Sequence, residues 1–451
     1  MMRFLQHPKD NIELARYVFN VDRDDPKVEA SVKKIIRDVR VGGDEAVLEY
    51  TKRFDGVRMT PAQMAVPVPE LRKAWEGLEP GIRAAIEIAA DRIRRFHEFQ
   101  KPAGYVLKDR IGMRMEYRIA PLRCVGLYVP GGTAAYPSSV LMNAIPAQIA
   151  GVDEIIMCTP PGKDGIINPA ILGAAWFLGL KKVFRVGGAQ AVAAMAWGTE
   201  TIPRVDKVVG PGNAFVAAAK KLLYGRIDID MIAGPSEILI IADKSSPMPY
   251  VVADLLSQAE HDTKAVVTLV HVGPMNKKAF LAELERQVEA SPRRDFIREA
   301  LKNQGTVILA DSVESAILLA NERAPEHLEV MIPNAARIAK LLRNAGAIFI
   351  GPYTPEPIGD YVAGPNHVLP TVGTARFFSP LSVTDFTKAT SVLELSRPGF
   401  EKLAGPAITL AEKEGLHAHA ESVRIRLAKP HGEKSGGRKS ETRKKSPGKE
   451  L

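Results

Sequence analysis

Cysteine is nearly absent: Cys124 and Cys158 are the only two in 451 residues. Both lie in apolar, strand-like runs and are expected to be buried free thiols. That usage predicts no disulfide framework and fits a reducing, cytoplasmic setting. No apolar run approaches the roughly 18 residues of a membrane-spanning helix. The stretch Met1 to Pro8 is too polar, and broken too soon, for a signal peptide. A one-sided charge is also largely missing once the net +9 is located. Lys429–Leu451 holds eight Lys/Arg against three Glu, so most of the excess sits in that tail. A nucleic-acid-binding role would therefore rest on the tail alone. The tail has almost no apolar residues and is expected to be disordered, a solubilising extension being the preferred reading.

What is present suits a globular protein of more than one core. Apolar content is 46% and charged content 25%, and the length exceeds what a single hydrophobic core organises. The N-terminal third reads as helical. Val32, Ile35, Ile36 and Val39 recur at helical spacing up to Gly42-Gly43, and Asp44 can cap a second run through Phe54. A longer helix covers Pro80 to Phe99.

From Arg123 strands and helices alternate. Strands are expected at 124–129, 154–158, 182–186 and 207–209, with helices at 138–150, 168–178, 189–197 and 213–224. The pattern restarts with a helix near 248–258. Strands at 265–270, 306–309, 328–332 and 347–350 then alternate with helices at 276–288, 312–322 and 335–343. Such alternation predicts mostly parallel sheets covered on both faces. The expected fold is α/β, with two Rossmann-like, incomplete, doubly wound domains. The expected boundaries are 1–122 (helical lobe), 123–245 (first α/β domain), 246–380 (second α/β domain), 381–427 (small helical lobe) and 428–451 (basic tail).

The chemistry concentrates in a few stretches. In Ala324-Pro325-Glu326-His327-Leu328 a carboxylate and an imidazole follow a helix-ending proline and precede a strand. These are the two commonest proton-transfer groups at neutral pH. The proline is expected to hold Ala324 extended. Two glycine loops, Tyr128-Val129-Pro130-Gly131-Gly132-Thr133 and Val209-Gly210-Pro211-Gly212-Asn213, follow strands. They are open either to phosphate or to service as tight turns, and neither completes a dinucleotide fingerprint. Gln258 and His261 share a helix face three residues apart. The stretch Gly351 to Arg376 reads as a long functional loop carrying Asp360, Asn366 and His367. Two of the nine histidines, His417 and His419, follow Glu414-Gly415-Leu416. Gln258, His261, Asp360 and His419 would together make a mixed N/O donor set suited to zinc, with His417 a competing donor.

With these motifs stand Val186-Gly187-Gly188-Ala189-Gln190-Ala191, Ala233-Gly234-Pro235-Ser236-Glu237, Gly359-Asp360-Tyr361 and Asn366-His367-Val368-Leu369-Pro370-Thr371. The set, in this order, resembles the histidinol dehydrogenase family from about residue 10 to Leu427. The resemblance implies a zinc- and NAD-dependent four-electron oxidation of L-histidinol to L-histidine through L-histidinal, the last step of histidine biosynthesis. By the family pattern, Gln258, His261, Asp360 and His419 would bind one Zn2+ per subunit. Tyr128, Gln190 and Asn213 would contact NAD, and Ser236, Gln258, His261, His327, Asp360, His367, Glu414 and His419 the substrate. Glu326 and His327 would be catalytic. Glu414 and His419 would come from the partner in an intertwined homodimer with shared active sites. The competing expectations are a sister dehydrogenase of another small alcohol such as sulfopropanediol, a zinc hydrolase using Glu326, and a tail-led nucleic-acid binder. No membrane association is expected.

Overall fold

The structure, a computed structural model, describes residues 2–7, 9, 11–19, 25–131 and 136–428. Gly132 and Thr133 of the first glycine loop, and the basic tail from Lys429 on, lie outside them. The chain forms two compact units. The larger comprises the chain up to Ala103 and from Ile119 to Lys388; the smaller comprises Gly104–Arg118 and the chain from Ala389.

The larger unit holds two parallel sheets. The first runs in the order Lys182–Arg185, Glu154–Thr159, Cys124–Tyr128, Lys207–Val209, Asp228–Ile229. The second runs Arg3–Gln6, Thr306–Ala310, Val266–Val272, Glu237–Asp243, His327–Val330, Ala347–Ile350. Apart from the edge strand Arg3–Gln6, both follow the same doubly wound 3-2-1-4-5 order, so the architecture is duplicated as expected. In each sheet the chain reverses direction of travel beside its first strand, the place where such folds open a crevice.

Side chains alternate across each strand, and the layers follow from that. In Cys124–Tyr128, Val125 and Leu127 pack on the layer of helices Pro80–Glu98, Pro137–Ala150 and Pro169–Phe177. Cys124 and Tyr128 face the opposite layer, built from helices Gly188–Trp197, Ala214–Leu223 and Pro26–Phe54. In the second sheet Ile238 and Ile240 meet helix Met248–Ala259, whereas Leu239 and Ile241 meet Val313–Arg323. The long N-terminal helix is broken at Gly43, whose φ of 52° and ψ of −134° leave the helical region. Asp44 there takes hydrogen bonds from Thr201.

Four expectations are corrected. Ala324 is not extended but left-handed, at φ 51° and ψ 61°. Proline disfavours the right-handed helical region for its predecessor, and a buried helix end satisfies its carbonyls with a left-handed residue. The stretch 351–376 is not a plain loop: Glu356–Ile358 is helical, Gly359–Ala363 is a π-helical turn and Thr374–Arg376 a 3₁₀ turn. The region from Thr384 does not go straight to helix but first forms the strand Thr387–Leu395. Finally, the strands Arg3–Gln6 and Glu237–Asp243, the latter at the centre of the second sheet, join those anticipated.

The smaller unit is a three-stranded sheet, Thr387–Leu395, Met113–Pro121 and Tyr105–Lys108 in that order, with helices Arg397–Lys413 and His417–Leu427. An Arg424–Glu412 ion pair ties the two helices.

Both cysteines are buried in the first sheet. Burial pushes the Cys158 thiol far up and the Cys124 thiol up to about 11. Thiolate is the reactive form, so native protein at pH 8 should be nearly inert to Ellman's reagent and should titrate both thiols in denaturant. A folded pKa above the usual value of about 8.5 means this stability term is complete below that pH and fades as pH climbs toward 11. Fast labelling of folded protein would contradict the buried placement.

Candidate active site

Glu326 and His327 sit where the left-handed turn at Ala324 delivers the chain into the second sheet. Strand His327–Val330 enters between Glu237–Asp243 and Ala347–Ile350, with His327 opposite Ile238. That register lays both side chains against the backbone of one residue, Glu237. The Glu237 N–H donates to Glu326 Oε2 at 2.9 Å, and His327 Nδ1 lies 3.1 Å from the Glu237 carbonyl. A carbonyl only accepts, so Nδ1 carries a proton and Nε2 is the atom left for chemistry.

Glu237 is itself held. Its carboxylate accepts Arg323 Nη2 at 2.6 Å and the Val372 N–H at 2.8 Å. Arg323 Nη1 donates to the Tyr17 carbonyl at 2.9 Å. The Arg323–Glu237 pair is almost wholly buried, at 5% and 2% side-chain exposure.

Beyond His327 lies an acidic turn. His327 Nε2 is 3.4 Å from Asp360 Oδ1. Ligand atoms of His327, Glu356 and Asp360 all fall within 4.8 Å of one another, a group able to hold a metal ion. Ser257 Oγ donates to Glu356 Oε2 at 3.1 Å, and the Glu356 N–H donates to Glu329 Oε1 at 2.8 Å. His367 Nδ1 meets the Asp360 carbonyl at 3.0 Å. Asn366 anchors that segment through the Met142 carbonyl and the Val368 N–H. His261 lies close enough for Asp360 and His327 to act on its charge, although burial dominates and lowers its pKa. Gln258, one turn earlier, is fully buried with neither amide atom partnered. An unpaired buried amide is costly, and its oxygen is a ready metal donor.

The electrostatics follow from burial among opposed charges. Burial pushes Glu326 up to about 8, with His327 opposing. Burial alone would lower His327, but Glu326 and Asp360 outweigh it and raise it to about 10. Asp360 is held far below the usual carboxylate range, because His327 overcomes its desolvation. Burial and the neighbouring Asp360 push Glu356 up to about 8. Positive charge is thus stabilised between Asp360 and its neighbours, the field a divalent cation requires.

The first sheet contributes a second constellation at the carboxyl ends of its strands. Tyr128 Oη accepts the Gly188 N–H at 3.1 Å, and burial pushes its phenol up to about 12. Gln190, on the same helix, is buried with both amide atoms unpartnered. Asn213 caps helix Ala214–Leu223, its Oδ1 accepting the Phe215 and Val216 N–H groups at 3.0 and 3.2 Å, which leaves Nδ2 as donor. Ser236 is half-buried ahead of strand Glu237–Asp243. Gly234 beside it donates to Thr371 Oγ1 at 2.6 Å.

The larger unit therefore carries Ser236, Gln258, His261, Glu326, His327, Asp360 and His367, and also Tyr128, Gln190 and Asn213. Glu414 and His419 belong to the smaller unit. Glu414 ends helix Arg397–Lys413, His419 lies in the first turn of His417–Leu427, and both, like His417, are exposed.

Comparison with known proteins decides the family. A family profile described as histidinol dehydrogenase matches residues 20–427. The histidinol dehydrogenase of Heliobacterium mobile is 48% identical over 429 residues, covering 95% of this chain and 100% of that protein. That of Aquifex aeolicus is 50% identical over 398 residues, covering 88% and 92%. The crystal structure of histidinol dehydrogenase from Elizabethkingia anophelis superimposes with a TM-score of 0.87 at 36% identity, covering 94% of this chain and 98% of that one. The chain belongs to the histidinol dehydrogenase family. It is accordingly an enzyme, an oxidoreductase.

Within this histidinol dehydrogenase framework two residues went unassigned by sequence. Glu356 was hidden by reading 351–376 as loop; its i, i+4 spacing from Asp360 behind Pro355 was the available sign. Glu237 stood in a quoted motif without a role, because its role is played by its peptide and its partner Arg323 is 86 residues away. Replacing Arg323 by Met strands a buried carboxylate and should cost about 3–5 kcal/mol in urea unfolding. The double variant Arg323→Met/Glu237→Gln, which leaves no lone charge, should recover a large part of that. Equal losses in the two would show that the pair's charge is immaterial.

Proposed function

We propose that the chain catalyses NAD-dependent oxidation of L-histidinol to L-histidine in two two-electron steps through L-histidinal, with one Zn2+ per subunit. The observation that carries this reading is the buried acid–imidazole pair pinned to the backbone N–H and carbonyl of Glu237, with His327 Nε2 aimed at the Asp360 cluster. The donor set fits the metal: Gln258 offers an unpartnered buried amide, His261 a neutral imidazole and Asp360 an ionised carboxylate. Zinc takes such N/O ligands. Gln190, equally unpartnered, and the donor left on Asn213 fit NAD at the first sheet.

When bound, zinc fixes and polarises the substrate's nitrogen end, and NAD accepts the electrons. The chain's own groups handle protons. His327 Nε2, oriented by the Nδ1–Glu237 bond, takes the hydroxyl proton of histidinol in the first oxidation; it must be neutral to do so, and the positive charge of a zinc ion held at Asp360 would lower its pKa from the raised value of the metal-free chain. Glu326 has Oε2 engaged by the Glu237 N–H, so Oε1 meets the water that adds to the aldehyde and receives its proton, a role that needs the ionised carboxylate and so favours a pH near or above about 8. His327 takes the proton of the resulting hydrate in the second oxidation. Ser236, His327, Asp360 and His367 line the substrate side. Glu414 and His419 complete the set across a homodimer, His419 as the fourth zinc ligand, in a cytoplasmic enzyme.

Two NADH should form per histidinol, activity should vanish on chelation and return with zinc. Glu326→Gln should slow oxidation of supplied histidinal by about 10²–10⁴-fold and shift the product toward one NADH per histidinol. An unchanged stoichiometry and rate would remove Glu326 from the water step. Asp360→Asn and Gln258→Ala should lose zinc by elemental analysis of folded protein; full retention of zinc in both would displace the proposed ligand set.

A further inference from the structure

The glycine loop at the end of strand Lys207–Val209 is held from outside by a buried ion pair. Gly210 has φ of +116°, and a Cβ placed on it would lie 2.1 Å from the Tyr128 carbonyl oxygen. Only glycine fits there, so the two strand ends that carry Tyr128 and Pro211–Asn213 come into direct backbone contact. Both backbone polar groups of Gly210 are engaged by charge. Its N–H donates to Asp230 Oδ2 at 2.7 Å, and its carbonyl accepts Lys220 Nζ at 3.0 Å. Lys220 and Asp230 pair with each other at 2% and 1% side-chain exposure. Asp230 Oδ1 accepts the Met231 N–H at 2.7 Å. Lys220 stands on helix Ala214–Leu223, whose first turn Asn213 caps; Asp230 opens the segment that runs to Gly234-Pro235-Ser236.

A buried charge pair is a poor way to gain stability, since an apolar pair of the same volume avoids the desolvation penalty. What this pair does that an apolar one cannot is hold the two peptides that flank Gly210, one through its N–H and the other through its carbonyl. We propose that Lys220 and Asp230 are positioning residues for the dinucleotide. Through Gly210 they set where Pro211–Asn213 presents its donors, and through Met231 they tie that loop to the segment leading to Ser236. This rests on the NAD reading above.

The test uses the full-length, zinc-loaded enzyme and the variants Lys220→Met, Asp230→Asn, the double Lys220→Met/Asp230→Asn, and Lys220→Arg. NAD dissociation constants are measured by calorimetry, beside KM for histidinol, zinc content and Tm. The double variant, free of any lone buried charge, should bind NAD about tenfold more weakly, the scale expected when a contacting group is displaced rather than removed. Its histidinol KM should stay within about twofold and its zinc content should not change. Lys220→Arg, which retains charge and donor, should recover a large part of the NAD affinity. An NAD constant that stays unchanged while Tm falls would overturn the proposal, as would parallel weakening of NAD and histidinol. If the double variant does not fold, the same comparison is read on Asp230→Asn, which keeps an acceptor for the loop. Failure of the unsubstituted enzyme to bind NAD would overturn the cofactor reading itself, and is told apart by that control.

Discussion

Glu237 ties the buried acid–imidazole pair together. Its N–H holds the Glu326 carboxylate and its carbonyl fixes a proton on His327 Nδ1, so the two peptide units that flank one residue orient two side chains of a kind suited to proton transfer. Both peptides belong to a central strand of the six-stranded sheet. The Arg323 guanidinium and the Val372 amide hold the Glu237 carboxylate in turn. Orientation at this place therefore comes from sheet backbone.

The two halves share a strand order but do not use it in the same way. In the first sheet Tyr128, Gly188 and Gly210 gather at the carboxyl ends of the strands, where open α/β folds bind nucleotides. In the second, Glu237 and His327 stand at the amino ends of strands Glu237–Asp243 and His327–Val330. The strand order is the same in both halves, but the residues gather at opposite ends of the strands.

Much of this was legible before any coordinates. The alternation of strands and helices, the Gly42-Gly43 break and the helix caps at Asn168, Asn213 and Ser312 depend on local rules and appear where the residues indicate. Glu326-His327 stood out because proton chemistry needs those residue types. What escaped notice depends on pairing at a distance. Strand Arg3–Gln6 is four residues long and earns its place only beside Thr306–Ala310. Strand Glu237–Asp243 follows so closely on a glycine-rich motif that the motif masked it. Ala324 is left-handed and not extended because proline only disfavours the helical region for its predecessor, and the conformation taken is set by the buried helix end. Lys220 and Asp230 look like surface charges in sequence; only the fold shows them inside.

The edge strand Arg3–Gln6 has a consequence for how the chain is made. It pairs with residues about three hundred positions later, so this segment must wait for some three hundred further residues to be made before it finds its neighbour. The first sheet, closed by Ile229, can assemble during that wait, whereas the second needs residues from both ends of its span. Long-range parallel pairing is slow, and unpaired edges are exposed meanwhile. During synthesis, then, the strands of the half that carries Tyr128 are complete first, although its core also takes in Val368, Leu381 and Phe386, and the N-terminal strand stays unpaired until Thr306–Ala310 has been made.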